Sequence, residues 1–311
     1  MRRLRLFTFV GAWLPALACN GATGPGGPGG PTGSAGPDAL TSVAQVSAGL
    51  VHTCALKTGG TVVCWGDNGS GEATVPDGLA SVAQVDAGRA RTCALKSDGT
   101  VVCWGSNSGD TPVPVGLASV AQVSAGSFHI CALKDNRTVV CWGSNTAGQV
   151  TVPDGLAFVQ HISAGHGHTC ALKTDRTVVC WGFNNYGQTS VPGDLVSVAQ
   201  ISAGFYHSCA LKNDGTVVCW GSNTAGQAAV PGALGPVEQV SAGYGHTCAL
   251  KTDKTVVCWG SNNDGQATPP GGLASVAQIS AGFYHTCALK TDETVVCWGD
   301  NSYGQATVPT P

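Results

Sequence analysis

The chain has 311 residues, only 11% of them charged, and a formal net charge of −3. So small and negative a charge excludes the strongly basic field that nucleic acid or an anionic membrane surface would require. Glycine is abundant at 45 residues, helix-forming runs are absent, and Val, Thr, Gly and Asn dominate, which favours strands and tight turns.

At the N-terminus, Arg2, Arg3 and Arg5 precede an apolar run from Leu6 to Ala18. The run falls short of the ~20 residues a membrane-spanning helix needs, so residues 1–18 are expected to be an export signal. Two endings fit it. Ala16-Leu17-Ala18 suits ordinary signal peptidase and simple secretion. With Cys19 appended, the same stretch resembles a bacterial lipobox, in which Cys19 becomes the lipid-modified first residue. Cys19 is the odd one among 15 cysteines, and a lone exposed thiol is unfavourable in an oxidising compartment, which favours the lipobox. Residues 20–38 carry glycine at every third position from Gly21 to Gly36. The spacing imitates collagen, but so few triplets make a poor triple helix, and an extended linker is expected. The expected domains are thus a signal peptide (1–18), a lipidated cysteine with a Gly/Pro-rich tether (19–41), and a repeat domain (42–311).

From Ser42 onward the sequence repeats, with copies starting near 42, 81, 119, 158, 197, 236 and 275. The Cys-Trp-Gly tryptophans are Trp65, Trp104, Trp142, Trp181, Trp220, Trp259 and Trp298, spaced 38 or 39 residues apart. A period near 40 with strand signals marks propeller blades, and seven copies lie within the usual blade number. The predicted architecture is all-β: one seven-bladed β-propeller of three- to four-stranded antiparallel blades. In each repeat the strands are Val-Ala-Gln-Val/Ile-Ser-Ala, then His-Thr-Cys-Ala-Leu-Lys, then Thr-Val-Val-Cys-Trp. A fourth piece, Ala-Thr-Val-Pro, either pairs weakly or only connects. The middle strands are apolar on both faces, as a sheet covered on both sides requires.

Fourteen cysteines form seven Cys-x9-Cys pairs: Cys54 and Cys64, Cys93 and Cys103, Cys131 and Cys141, Cys170 and Cys180, Cys209 and Cys219, Cys248 and Cys258, Cys287 and Cys297. If Ser97-Asp98-Gly99 is a three-residue hairpin loop, Leu95 faces Val101 and Cys93 faces Cys103 at a non-hydrogen-bonded site, within disulfide reach. Seven cross-strand disulfides are the preferred reading; fourteen reduced, buried thiols are the alternative. Gly60, Gly99 and Gly215 suit the left-handed last loop position. Arg137, Arg176, Lys254 and Glu293 stand there elsewhere and suggest a different turn in those blades. No Cys-x2-Cys spacing occurs, so zinc is not expected.

The phrases Ala203-Gly204, His207, Ala210-Leu211, Trp220-Gly221, Asn223 and Gly226-Gln227 resemble the repeat of the regulator of chromosome condensation family. The likeness recurs seven times over residues 42–309. The short period and the phrase Ala-Leu-Lys…Val-Val-x-Trp-Gly…Gly-Gln-x-x-Val-Pro look closer to a bacterial secreted branch, which includes a propeller-type β-lactamase inhibitory protein. The resemblance implies a seven-bladed propeller that binds another protein through one rim. Paired cysteines and the lipobox-like start depart from that inhibitor and leave the target open.

His52, His129, His168, His207, His246 and His285 recur, with Arg91 in the second repeat. Rotational symmetry sets equivalent residues on different blades, so these are expected to hydrogen-bond backbone rather than share an ion. His161 and His166 beside His168 form the one candidate metal cluster. The frame is nearly uniform, while the two residues after each Ala-Gly vary: Leu50-Val51, Arg89-Ala90, Ser127-Phe128, His166-Gly167, Phe205-Tyr206, Tyr244-Gly245 and Phe283-Tyr284. They should ring one end. A second variable loop carries Phe183, Tyr186 and Tyr303. Aromatic residues in presented loops suit protein contacts, so Phe205, Tyr206, Tyr244, Phe283, Tyr284, Phe128, Phe183, Tyr186 and Tyr303 are the expected binding residues. Catalytic motifs are missing. The expected function is a non-catalytic, envelope-tethered protein-binding propeller without cofactor or metal, held by a lipid on an outer-membrane or cell surface, or else secreted. The alternative is a carbohydrate-binding or hydrolase/lyase propeller using the central funnel.

Overall fold

A computed structural model describes residues 40–106 and 112–310 of the chain. The export signal, Cys19, most of the tether and the Gly109-Asp110 stretch of the second repeat lie outside them. The first repeat forms β1 (Val43–Ala48), β2 (His52–Lys57) and β3 (Val62–Gly66). The pattern recurs through 21 strands, ending in β19 (Val276–Ala281), β20 (His285–Lys290) and β21 (Val295–Gly299). Every sheet is three consecutive antiparallel strands. Among the described residues the Ala-Thr-Val-Pro piece only connects, and no blade borrows a strand from another repeat.

The ring closes by repeating one joint. Gln45 Oε1 accepts from Val85 N–H at 3.0 Å between blades 1 and 2, and Gln278 Oε1 accepts from Val46 N–H at 2.9 Å between blades 7 and 1. The last repeat's tail also reaches the first blade, where the Gln305 carbonyl accepts from Trp65 Nε1 at 3.0 Å.

The hairpin register is the one the cysteine spacing predicts: Leu95 opposite Val101, Ala94 opposite Val102, Cys93 opposite Cys103. Lys96 N–H bonds to Thr100 O at 2.8 Å, and the Asp98 carboxylate accepts from the Thr100 N–H and hydroxyl. One expectation is corrected here. Arg137, Arg176, Lys254 and Glu293 do not change the turn; they adopt the left-handed conformation themselves, with φ of 66–71°. Each incurs a cost of about 1 kcal/mol, which the same Asx-type bonds offset at Asn136, Asp175, Asp253 and Asp292. All seven cysteine pairs are disulfides, with Cα atoms 4.1 Å apart.

A bulge between Val43 and Gln45 shapes the inner strand. Simple alternation would put Val43 and Val46 on opposite faces. The extra residue lets both enter the core, at 2% and 1% exposure. There is no single central core. Seven apolar clusters lie between neighbouring blades, each joining one blade's cysteine-leucine face to the next blade's valine-alanine-tryptophan face. Blade 1's Cys54, Leu56 and Val62 thus meet Val82, Val85 and Ala94 of blade 2.

Candidate docking face and axial channel

The inner strands leave backbone groups unpaired along the axis, an edge that must be satisfied. The neighbouring blade does this. Gln45 donates from Nε2 to Val85 O and accepts at Oε1 from Val85 N–H. Ser47 Oγ accepts from Ala87 N–H at 2.9 Å. The same amide and hydroxyl clamps recur between other blades, as at Gln122 with Ile162 and Ser202 with Ala242. They wall a channel of about 240 Å³. Two titratable groups break the pattern. Asp86 stands in the serine position and accepts from Ser47 Oγ and Ala125 N–H; burial pushes its carboxyl up to about 6. His161 stands in the glutamine position, and burial holds it at about 4.

Behind the channel, each repeat histidine makes a cross-blade relay. His207 Nε2 bonds Thr247 Oγ1 at 2.8 Å, and that hydroxyl donates to the Gln227 carbonyl at 2.8 Å. Trp259 Nε1 donates to the same carbonyl at 3.0 Å. The hydroxyl's donation to the carbonyl makes the imidazole the donor, so Nε2 carries the proton. The bond expected to backbone therefore goes to the next blade's hydroxyl, and only through it to backbone. One joint is different: Arg91 replaces the histidine of blade 2, and Ile130 replaces the hydroxyl residue of blade 3. Partner and acceptor change together, which keeps an unsatisfied hydroxyl out of that joint. Thr247→Val should cost about 1–3 kcal/mol, because it strands an imidazole donor in the core, and should lower Tm by roughly 5 °C. An unchanged melting curve would remove the relay from the account of stability.

The β1–β2 loop and the segment after β3 emerge at the end opposite the β2–β3 turns. A glycine is required in the first of these loops: a Cβ on Gly204 would sit 2.6 Å from the Gly243 carbonyl oxygen. Backbone packs on backbone there, and the next two side chains are presented outward. Phe128 meets His166 with centroids 4.9 Å apart, and His166 stacks on Phe205 at 3.5 Å. Phe205 continues to Tyr244 at 4.3 Å and Tyr206 at 4.3 Å. Tyr244 reaches Phe283 at 5.7 Å and Tyr284 at 5.2 Å. From Tyr206 a branch passes to Tyr186 at 4.6 Å and Phe183 at 5.9 Å.

Eight of the nine expected binding residues are thus brought into one arc over blades 3 to 7. Most are half-buried, and Tyr186 is 49% exposed. The ninth, Tyr303, is 57% exposed and takes no part in these ring contacts. His166 was missing from the aromatic set, although it is the bridge across blade 4. Burial lowers it to about 4, helped by the charge of Arg89, so it is a neutral ring at ordinary pH. His161, His166 and His168 lie in the channel wall, the arc and a blade joint respectively, so the candidate metal cluster does not assemble. Among the described residues no group of three or more metal-ligating side chains forms. The Gln and Ser clamps and Asp86 could be found from sequence only by knowing which repeat contacts which.

The repeat model described as the regulator of chromosome condensation (RCC1) repeat matches residues 43–72, 82–109, 120–149, 159–188, 198–227, 237–266 and 276–305. The chain belongs to the RCC1 repeat family. Its RCC1 blades are similar to the ectodomain of the Physcomitrella patens receptor kinase CR4, at 27% identity and TM-score 0.72 over 84% of this chain and 75% of that one. The CRINKLY ectodomain of the Arabidopsis thaliana receptor kinase ACR4 follows at 28% identity and TM-score 0.68, covering 84% of this chain and 98% of that one. Yeast RCC1 (Prp20), solved bound to Kap60, shares the fold at 20% identity and TM-score 0.66, over 77% of this chain and 78% of that one. No curated protein matches the chain.

Proposed function

We propose that the protein is exported, tethered to the cell envelope through Cys19, and binds another protein non-catalytically through the aromatic face. The arc carries the reading: contiguous, partly exposed rings on one end of a rigid ring of blades are a docking surface rather than a core. The channel argues the same way, since its amides and most of its hydroxyls already serve backbone groups. The receptor-kinase ectodomains are extracellular parts of their proteins, and seven disulfides suit an oxidising compartment; both support export. Asn20 after Cys19 favours the outer membrane under the sorting rule of enteric bacteria.

Affinity capture from the native envelope, with the soluble propeller as bait, tests the docking face. A variant with alanine at Phe205, Tyr206, Tyr244, Phe283 and Tyr284 should keep its melting curve within a few degrees and lose the partner, each good anchor being worth roughly 2 kcal/mol or more. A partner retained by that variant would place the binding face elsewhere. Tethering is tested by Cys19→Ala: the native protein should partition into detergent and the variant should not. Equal partitioning would rule out the lipid.

A further inference from the structure

The end away from the aromatic arc carries compensated charge of both signs, with lysines paired to turn aspartates, as Lys96 with Asp98 at 3.3 Å and Lys290 with Asp292 at 2.7 Å. Each middle strand ends on a lysine, from Lys57 to Lys290, at the end away from the aromatic arc. That lies about 17 Å from the arc, the length of a six-residue strand. Arg137, Arg176 and Lys254 sit in the turns at the same far end. The arc's own end carries Asp67, Asp264 and Asp300 in the loops after the outer strands, and its exposed cation among the described residues is Arg89.

The arc is also graded in composition. Over blades 4 and 5 the positions outside the inner rings are aromatic, at Phe183, Tyr186 and Tyr206. Past Tyr244 and Phe283 the aromatics Tyr284 and Tyr303 are joined by acidic side chains, at Asp264, Asp300 and, across the closure, Asp67. Asp264 and Asp300 lie near enough to the Tyr284 hydroxyl to raise its pKa, behind the larger effects of burial and of Tyr244. The Asp300 N–H donates to the Tyr284 carbonyl at 2.8 Å, which sets that carboxylate's residue beside the ring. The Asp300 carboxylate is fixed by the Ser302 N–H and hydroxyl and by Gln305 Nε2. Hydrogen bonds from Ser302 hold it ionised, against the effect of burial.

The fold supplies its own example of what such rings accept. The Arg89 guanidinium lies 5.0 Å from the Phe128 ring centroid, at the arc's other end. Aromatic faces attract cations, more so when carboxylates stand behind them. Among the described residues, the Tyr244–Phe283–Tyr284 sector presents such faces and such carboxylates with no cation stacked on its rings.

From this juxtaposition we infer that the partner docks a basic segment, with an arginine or lysine seated on the Tyr244–Phe283–Tyr284 sector between Asp264 and Asp300. The inference rests on the docking-face reading and specifies the chemistry of its partner. Complementary charge at a rim of this kind sets partner choice and association rate.

The test uses labelled hexa-arginine peptide and the soluble propeller at low salt. Hexa-arginine should bind saturably, and its uncharged isostere hexacitrulline and hexaglutamate should each bind at least tenfold more weakly. Asp264→Asn with Asp300→Asn should weaken hexa-arginine at least tenfold, and so should Tyr284→Ala. Asp98→Asn with Asp175→Asn, at the far end, should leave it unchanged, which separates a seat from general attraction. Hexa-arginine binding that ignores Asp264→Asn with Asp300→Asn, or hexaglutamate binding as tightly, would overturn the inference. Capture of the native partner by the same variants keeps the two readings apart. A partner lost with the five aromatics but unaffected at Asp264 and Asp300 leaves the docking face standing and removes the cation seat. A partner indifferent to both removes the docking face.

Discussion

Reduction of the seven disulfides is expected to unfold the propeller at ordinary temperature. Each bridge closes a loop with a sequence separation of 10, and constraining so short a loop in the unfolded chain contributes about 2–3 kcal/mol. The total is not additive, but even half of it rivals the roughly 5–15 kcal/mol that a whole domain retains. The blades have little else to draw on. Each is a three-stranded sheet, with no helix among the described residues, and its apolar faces are useful only when the neighbour is present. Loss of one blade's staple therefore loosens two joints. Thermal melting with and without dithiothreitol, after confirmed reduction, should show Tm lower by more than 20 °C. Non-reducing denaturing mass analysis of protein from its native source should find the chain about fourteen hydrogens lighter than the thiol form. A reduced protein that melts where the oxidised one does would mean the blades hold by packing alone. The cysteines are buried at 0–1% on the middle strands, so reduction of the native protein should be slow and should follow unfolding.

Which parts of this were legible beforehand follows from distance along the chain. The Cys93–Cys103 bridge and the Leu95–Val101 pairing are local, fixed by a turn a few residues away, and alternation from the turn was sufficient to place them. The blade count came from the tryptophan period. The variable loops could be assigned to one end because every equivalent residue must lie there. Contacts between blades were not legible. Gln45 reads as one more polar residue in a strand until Val85, 40 positions on, is known to pass beside it. Thr53 reads as a β-former until the histidine of the last blade is seen to bond it at 2.8 Å. Repetition hides such pairs, since every residue has seven equally good candidates for its partner. The exceptions are more informative: Arg91 and Ile130 depart from the frame in successive repeats because they occupy the two sides of one joint. His166 was read with its sequence neighbours His161 and His168, although the loop turns it outward while His161 lines the channel and His168 is buried in a blade joint.

Acid should destabilise the propeller steeply between pH 6.5 and 4. His52, His129, His168, His207, His246 and His285 are fully buried, and desolvation holds them at about 3–4. In the unfolded chain each titrates near 6.5. A folded pKa below the unfolded one means that the unfolded state binds more protons in that interval. Stability is then full above pH 6.5 and falls as pH drops towards 4. At pH 5 each histidine accounts for a loss of about 2 kcal/mol. Six together bring the loss to about 12 kcal/mol, comparable with the stability of a domain. The relay explains why the fold cannot evade this by protonation in place. Nε2 already donates to a hydroxyl, and among the described residues Nδ1 has no hydrogen-bond partner, so an imidazolium would carry a buried charge with an unmatched proton. Asp86 works in the other direction. Its raised carboxyl, at about 6, takes up a proton in the folded state before the unfolded chain does, and so adds stability as pH falls towards 4. It is one group against six. The turn aspartates, such as Asp98 at about 2, lose their bonds only at still lower pH. Melting curves should therefore give Tm at pH 5 at least 15 °C below that at pH 7.5, and steeply lower again at pH 4. A Tm flat from pH 7.5 to 4.5 would mean the imidazoles are not buried neutral.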